Sequence, residues 1–206
     1  MTPAKMAGKI LVSTAYLPPV TYFSVLSESD EILIEKEENY IKQTYRNRCY
    51  ILSANGLQTL SVPVFMGSLH KTAVKDIRID YSKRWQQVHL RAMIAAYRSS
   101  PYFEYYFDRI EQIISSDHKF LLDLNMELIL LINNVLKIDI LMTYTAHFVP
   151  VTTEPTDFRY TISPKKYEQR EYREYQQVFQ YGKGFEPGLS IADLIFNMGP
   201  DSYQYL

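Results

Sequence analysis

Two short apolar runs, Lys9 to Thr14 and Glu31 to Glu35, separated by a Tyr16-Leu17-Pro18-Pro19 turn, most narrow what this chain can fold into. Both runs have the length and the Ile/Val content of buried strands. Between them, Tyr22 to Leu26 reads as a short helix that stops near Ser27-Glu28-Ser29-Asp30. Strand, helix and strand in roughly 25 residues is what a small right-handed parallel unit needs, because parallel strands must be joined by a crossover. The expected class is therefore α/β.

Further along, residues 35–42 are polar and irregular. Residues 48–52 and 57–64 then read as a hairpin bridged by Ser53-Ala54-Asn55-Gly56, a strong turn signal. From Ser82 to Ala96 the period becomes helical, with Trp85, Val88, His89, Ala92 and Ala96 recurring on one side. Pro101 breaks that run, a second helical pattern covers 102–114, and 121–136 is a long helix, apolar on most sides. Residues 138–141 predict another strand, which completes a mixed sheet with helices packed on it. After Val149-Pro150 the composition shifts to a loop over 152–164. A charged, Tyr-rich helical segment is expected over 165–181, with Tyr167, Tyr175, Val178 and Phe179 on one face. A terminal helix over 189–197 follows, with Ser190 and Asp193 spaced as an N-terminal cap. One domain spanning 1–206 is expected: an α/β core over 1–150, and 151–206 as a loop plus C-terminal helices packing on it.

Charge excludes several classes of partner. With 22 Lys+Arg against 23 Asp+Glu, no global field draws the chain to nucleic acid, and no nucleic-acid partner is expected. The apolar stretch 120–132 is interrupted by Asp123, Asn125 and Glu127 and falls short of the roughly 20 residues a membrane span needs. Ile10-Leu11-Val12 is too short for the core of an export signal. The single cysteine, Cys49, rules out an internal disulfide and fits a reducing, cytoplasmic setting. Only seven glycines occur, none placed after the first strand, so nicotinamide, flavin and P-loop chemistry are disfavoured and no cofactor is assigned. No two histidines stand at metal-ligand spacing, and no metal site is expected.

The residues that could carry chemistry are few. Ligands of open α/β sheets sit beyond the carboxyl ends of strands, so the proline turn could present Tyr16 and the Thr14 hydroxyl to a cleft, or could simply be a stiff connector. Arg46-Asn47-Arg48 offers two guanidinium groups suited to phosphate or carboxylate, with Glu35, Glu37 and Glu38 near enough in sequence to form internal ion pairs instead. Asn39 lies in the same polar stretch. His89, beside Trp85 on the apolar side of its helix, reads as a general base or as a hydrogen-bonded structural residue. His70 is a second candidate base. Cys49 reads as a nucleophile or as a small buried hydrophobe. The 18 tyrosines suit sugar rings, nucleobases and protein interfaces alike, and Tyr167 and Tyr175 are candidates for contact with a protein partner.

Several segments, taken in order, resemble the bacterial WbqC-like family. They are Tyr16-Leu17-Pro18 with Tyr22-Phe23, Arg46-Asn47-Arg48, Leu60-Ser61-Val62-Pro63-Val64, Trp85 with His89, Tyr97, Pro101-Tyr102-Phe103, and the run from Leu189 to Gly199. The family usually carries Gln-Pro before the first turn, where this chain has Ser13-Thr14, and residues 145–181 look shortened and recomposed. The resemblance implies a role around surface polysaccharide, with acylation or aminoacylation of an amino sugar on a sugar nucleotide as the activity. His89 would be the catalytic group, and Tyr16, Asn39, Arg46, Arg48 and Trp85 would bind substrate. A non-catalytic binding or assembly protein with a Tyr-rich surface is the alternative.

Overall fold

The computed structural model describes residues 8–65, 71–151, 155–165, 173–180 and 184–206. Strand β1 (Lys9–Ser13) leads through the proline turn into helix α1 (Val20–Ser27) and returns as β2 (Glu31–Glu35), which lies parallel to β1 with Lys9 opposite Glu31 and Ser13 opposite Glu35. The parallel unit expected from the first 35 residues is thus present. Two further strands extend it, β5 (Leu141–Tyr144) alongside β2 and the two-residue β6 (Thr156–Asp157) alongside β1, giving the order β5-β2-β1-β6, all parallel. The hairpin β3 (Arg48–Ser53) and β4 (Gly56–Ser61) forms a separate antiparallel pair. Parallel sheet and antiparallel hairpin together make the mixed α/β architecture.

Three helices cover this framework: α2 (Trp85–Tyr97), α3 (Phe103–Ser115) and α4 (Leu121–Leu136), with α5 (Ile191–Met198) near the C-terminus. One continuous cluster of buried apolar side chains runs from Ile10 to Phe196 and includes all four. The strand expected at 138–141 begins three residues later. Helix α4 ends with Lys137 in the left-handed region (φ 57°), and the Ile138 amide turns back to the Asn133 carbonyl. Ile138 is thereby buried as the last contact of the helix and is withdrawn from the sheet. Strand β6 falls inside the segment expected to be a loop, too short to leave a periodic signal. Residues 173–180, in the segment expected to be helical, are irregular with one turn. Among the described residues the α-helix of the C-terminal region is α5, followed by a 3-10 turn over Gly199–Tyr205. The Ser190 hydroxyl caps α5 by accepting from the Ala192 amide, while Asp193 turns away into the core.

The carboxyl ends of the parallel strands, where an open α/β sheet usually binds ligand, are closed by charge. Arg159, fully buried, donates to Asp157 Oδ2 at 2.6 Å and to Glu35 Oε2 at 3.1 Å, and Glu35 also accepts from the Thr145 hydroxyl and the Val149 amide. Beside it Arg46 grips Glu38 with Nε and Nη2 at 2.9 and 2.6 Å and donates to Ser13 Oγ at 2.6 Å. The space left there is only about 10 Å³. Breaking a buried pair costs far more than the pair contributes, because the surviving charge is stranded. Arg159→Ala is therefore expected to lower unfolding stability by about 3–5 kcal/mol, read by urea titration. A loss under 1 kcal/mol would mean that water reaches Glu35 and Asp157.

Candidate functional site

With the strand ends sealed, the cleft that collects the sequence-derived residues opens elsewhere, between the β3–β4 hairpin and the N-terminal end of α2. It has a volume of about 680 Å³ and is lined by Arg48, Trp85 and His89 among others. Lys42, Arg48, Lys83 and Arg84 face it against one carboxylate, Asp80, so it is cationic in a chain whose formal charge is −1. None of the four cations forms an ion pair with a described residue. Three buried polar atoms on its lining residues also lack a hydrogen-bond partner: Asn47 Oδ1, Arg48 Nε and Trp85 Nε1. Buried polar groups are nearly always paired, so three orphans around one cleft need a reason. A larger cavity, about 1070 Å³, lies by Tyr175, Gln177 and Asn197; among the described residues no lysine or arginine lines it, and of the candidates only Tyr175 does. The smaller cleft has the charge and the unpartnered groups, and is the better site.

Beneath the cleft floor lies a buried aromatic couple. The proline turn points Tyr16 inward, and its hydroxyl stands 2.9 Å from His89 Nδ1. The Trp85 ring packs edge-on against His89 with centroids 5.1 Å apart. Burial drives the Tyr16 phenol well above its ordinary pKa and pushes the His89 imidazolium down to about 4, a shift that the Ser61 backbone contact only partly opposes. At neutral pH both side chains are therefore uncharged and share one proton between the phenol oxygen and Nδ1. Where the phenol donates, the imidazole N–H stands on Nε2; where Nδ1–H donates, Nε2 is bare.

The other expected residues divide. Arg48 and Trp85 line the cleft, and Tyr16 reaches it through His89. Arg46 does not: its guanidinium is spent on Glu38 and Ser13, so of the two readings of the Arg-Asn-Arg element the internal ion pair describes Arg46 and the open cation describes Arg48. Asn39 is exposed, bridges to Ala73 and lies outside the cleft lining. Thr14 is buried, away from the cleft. Cys49 is buried on the hairpin with its thiol pushed far up, which suits the small-hydrophobe reading. Tyr175 is buried, with its hydroxyl given to Asp193 Oδ2 at 2.8 Å. His70 and Tyr167 lie outside the described residues. Sequence reasoning missed Asn47 as a separate ligand, and Lys42, Lys83 and Arg84 altogether. The signal for the last two was a basic pair directly before a helix start.

Two buried groups titrate in opposite senses. His89 is bare in the folded chain down to about pH 4, whereas the unfolded chain protonates it near 6.5. Stability from this group is thus full above 6.5 and is lost as pH falls through that window, by about 3 kcal/mol at most. Asp193 is raised from 3.8 to about 6, chiefly by burial. The folded chain holds that proton longer than the unfolded one, so stability falls by a similar amount as pH rises from about 4 to 6. Asp193→Asn should therefore raise the melting temperature at pH 7 and leave it nearly unchanged at pH 4. His89→Gln should flatten the acid limb between pH 6.5 and 4. Melting curves across this range check both, and a destabilised Asp193→Asn at pH 7 would show that hydrogen bonds to Tyr175 and Gln177 outweigh the burial cost.

Among the described residues no helix is long and apolar enough to cross a membrane. No solved structure matches the chain. The uncharacterized protein Rv1507c of Mycobacterium tuberculosis (strain ATCC 25618 / H37Rv) is 26% identical to it over 225 aligned residues, covering 95% of this chain and 96% of that protein. The WbqC-like protein family matches residues 14–165 and 154–205. Those two stretches take in the proline turn, the Arg48–Trp85–His89 cleft and the α5 motif, and the chain belongs to the WbqC-like protein family.

Proposed function

We propose that this chain is a cytoplasmic transferase that moves an acyl or aminoacyl group onto an amino sugar carried by a nucleotide, in the building of surface polysaccharide. The observation that supports the reading most is the cationic cleft laid over the Tyr16–His89 couple, since a nucleotide substrate brings negative charge and amide formation needs a polar group at the reacting carbonyl. The substrate amine attacks that carbonyl, a C–N bond forms, and the electron pair moves to oxygen. Collapse of the tetrahedral adduct restores C=O and expels the donor's leaving group, which takes up the proton the amine gives up.

His89 is the catalytic group of this proposal, and its tautomer decides how it acts. Where the Tyr16 hydroxyl donates to Nδ1, Nε2–H is the atom a substrate would meet on displacing the Ser61 carbonyl, and it suits the developing oxyanion. The general-base role anticipated from the sequence requires the opposite tautomer, with the Tyr16 oxygen accepting. Arg48 and Trp85 hold substrate, Tyr16 pairs with His89 Nδ1, and Arg46 and Asn39 act only through the fold.

The two roles separate in variants. His89→Ala should abolish turnover, by a factor of about 100 or more, with substrate affinity little changed. His89→Gln, which keeps an N–H donor but no usable base, should recover part of the rate under the donor role and none under the base role. In either role kcat should be insensitive to His89 titration from pH 5 to 8, because the imidazole is already neutral there. Full activity in His89→Ala, measured by acyl transfer to a panel of amino-sugar nucleotides, would end the assignment.

A further inference from the structure

Which end of a ligand the cleft grips, and where, can be taken further on the reading of this cleft as a nucleotide-sugar site. Helix α2 is 13 residues long, no side chain caps its N-terminus, and no acidic residue stands in its first turn. Its first residue, Trp85, and the two before it, Lys83 and Arg84, line the cleft. The first backbone amides of a helix have no partner within the helix and carry partial positive charge, which is why anions dock there. α1, α3 and α4 also lack a side-chain cap, so what sets α2 apart is that its cap position is held by Arg84, which adds charge of the same sign. Arg48 stands among the cleft's lining residues, with its Nε buried and unpartnered.

A second, independent observation indicates a ligand. Trp85 is 4% exposed and Asn47 9% exposed, yet Trp85 Nε1 and Asn47 Oδ1 have no partner, although the Asn47 amide nitrogen is satisfied by the Val62 carbonyl at 2.9 Å. One is a donor and the other an acceptor. A hydroxyl or an amide can serve both, whereas the phosphoryl group of a phosphate ester, as a dianion, only accepts. We propose that the N-terminal end of α2, together with Arg48, Lys83 and Arg84, is a phosphate subsite, and that Trp85 and Asn47 read an adjoining hydroxyl or amide of the same molecule. The ligand class is a phosphate ester of a polyhydroxylated or amide-bearing group, either a sugar phosphate or a nucleoside diphosphate.

Trp85 is the chain's one tryptophan, so its fluorescence reports directly on the subsite. Inorganic phosphate, glucose 1-phosphate, UDP, UDP-N-acetylglucosamine and unphosphorylated uridine are titrated against the full chain. The four phosphates should change Trp85 emission and uridine should not. Affinity should rise from inorganic phosphate to the esters, and the order of glucose 1-phosphate and UDP tells which source the subsite prefers. Lys83→Gln/Arg84→Gln, a surface double variant, should weaken every phosphate about tenfold or more, and Arg48→Gln likewise. Arg98→Gln, exposed at the opposite end of the same helix, should bind as the unmodified chain does. Asn47→Asp should lose the advantage of esters over inorganic phosphate in a thermal-shift comparison. Unchanged affinity in the double variant, or no response to any phosphate, overturns the subsite. Phosphate binding with no acyl transfer would overturn the proposed function and leave the subsite standing, whereas transfer at full rate in the double variant would do the reverse.

Discussion

The turn at Tyr16-Leu17-Pro18-Pro19 is the point on which the rest of the structure is hung. Leu17 sits at φ 39°, a conformation that costs an L-residue about 1–2 kcal/mol, and it is fully buried, so the surroundings must hold it there. They do so with backbone bonds from three directions. The Tyr16 amide donates to the Tyr45 carbonyl, the Ile191 amide to the Pro18 carbonyl, and the Val20 amide to the Leu189 carbonyl. The Ser190 hydroxyl completes the set by donating to the Leu17 carbonyl at 2.8 Å while its oxygen caps α5, and its amide reaches Tyr50 on β3. A bent connector thus ties the first strand to the hairpin and to the last helix, across more than 170 positions of sequence. It also fixes Tyr16, whose hydroxyl stands 2.9 Å from His89 Nδ1.

What could be read from the sequence follows from which forces are local. The β1–α1–β2 unit, the Asn55-Gly56 hairpin and the three covering helices each carry their own periodicity or turn chemistry, and all are present. The start of β5 depends on Lys137 entering the left-handed region, which a lysine does not advertise. Strand β6 has two residues and exists because Phe158 donates its amide to Leu11, a contact 147 positions away. Residues 173–180 are irregular and are tied down by Asp193, which accepts from both Tyr175 and Gln177. For the site, Tyr16, Arg48, Trp85 and His89 were legible as residue types but not as one cleft. Whether a guanidinium faces a carboxylate or open space is a matter of tertiary placement, and Arg46 and Arg48, two positions apart, went opposite ways.

That divergence also explains why the cleft is where it is. The carboxyl ends of parallel strands are open to ligands only if nothing else satisfies the polar groups gathered there. Here two arginines from outside the sheet close them: Arg46 against Glu38 and Ser13, Arg159 against Glu35 and Asp157. Such networks stabilise only when every member is paired, and these are close to fully paired. The plugged edge becomes a rigid base, and Asn125, reaching from α4 to the Arg46 carbonyl, fastens the covering helix to it. The hairpin that follows Arg46 is then held at a fixed distance from α2.

Satisfied and unsatisfied polar groups thus stand side by side within one short segment. Arg46 has its hydrogen bonds and belongs to the fold; Asn47 divides, its nitrogen bound to Val62 and its oxygen free; Arg48 keeps its Nε unpartnered. A fold gains nothing from leaving the last two groups unpaired, and each such group costs about 1–3 kcal/mol when it stays so. Placing them along a cationic groove, next to a helix start without a cap, makes sense only if something else completes the bonds. Asp193 is likewise held in the core against the cost of burial, which raises its pKa to about 6. Its partners Tyr175 and Gln177 line the larger cavity, so the carboxylate secures a wall that the charged cleft does not use.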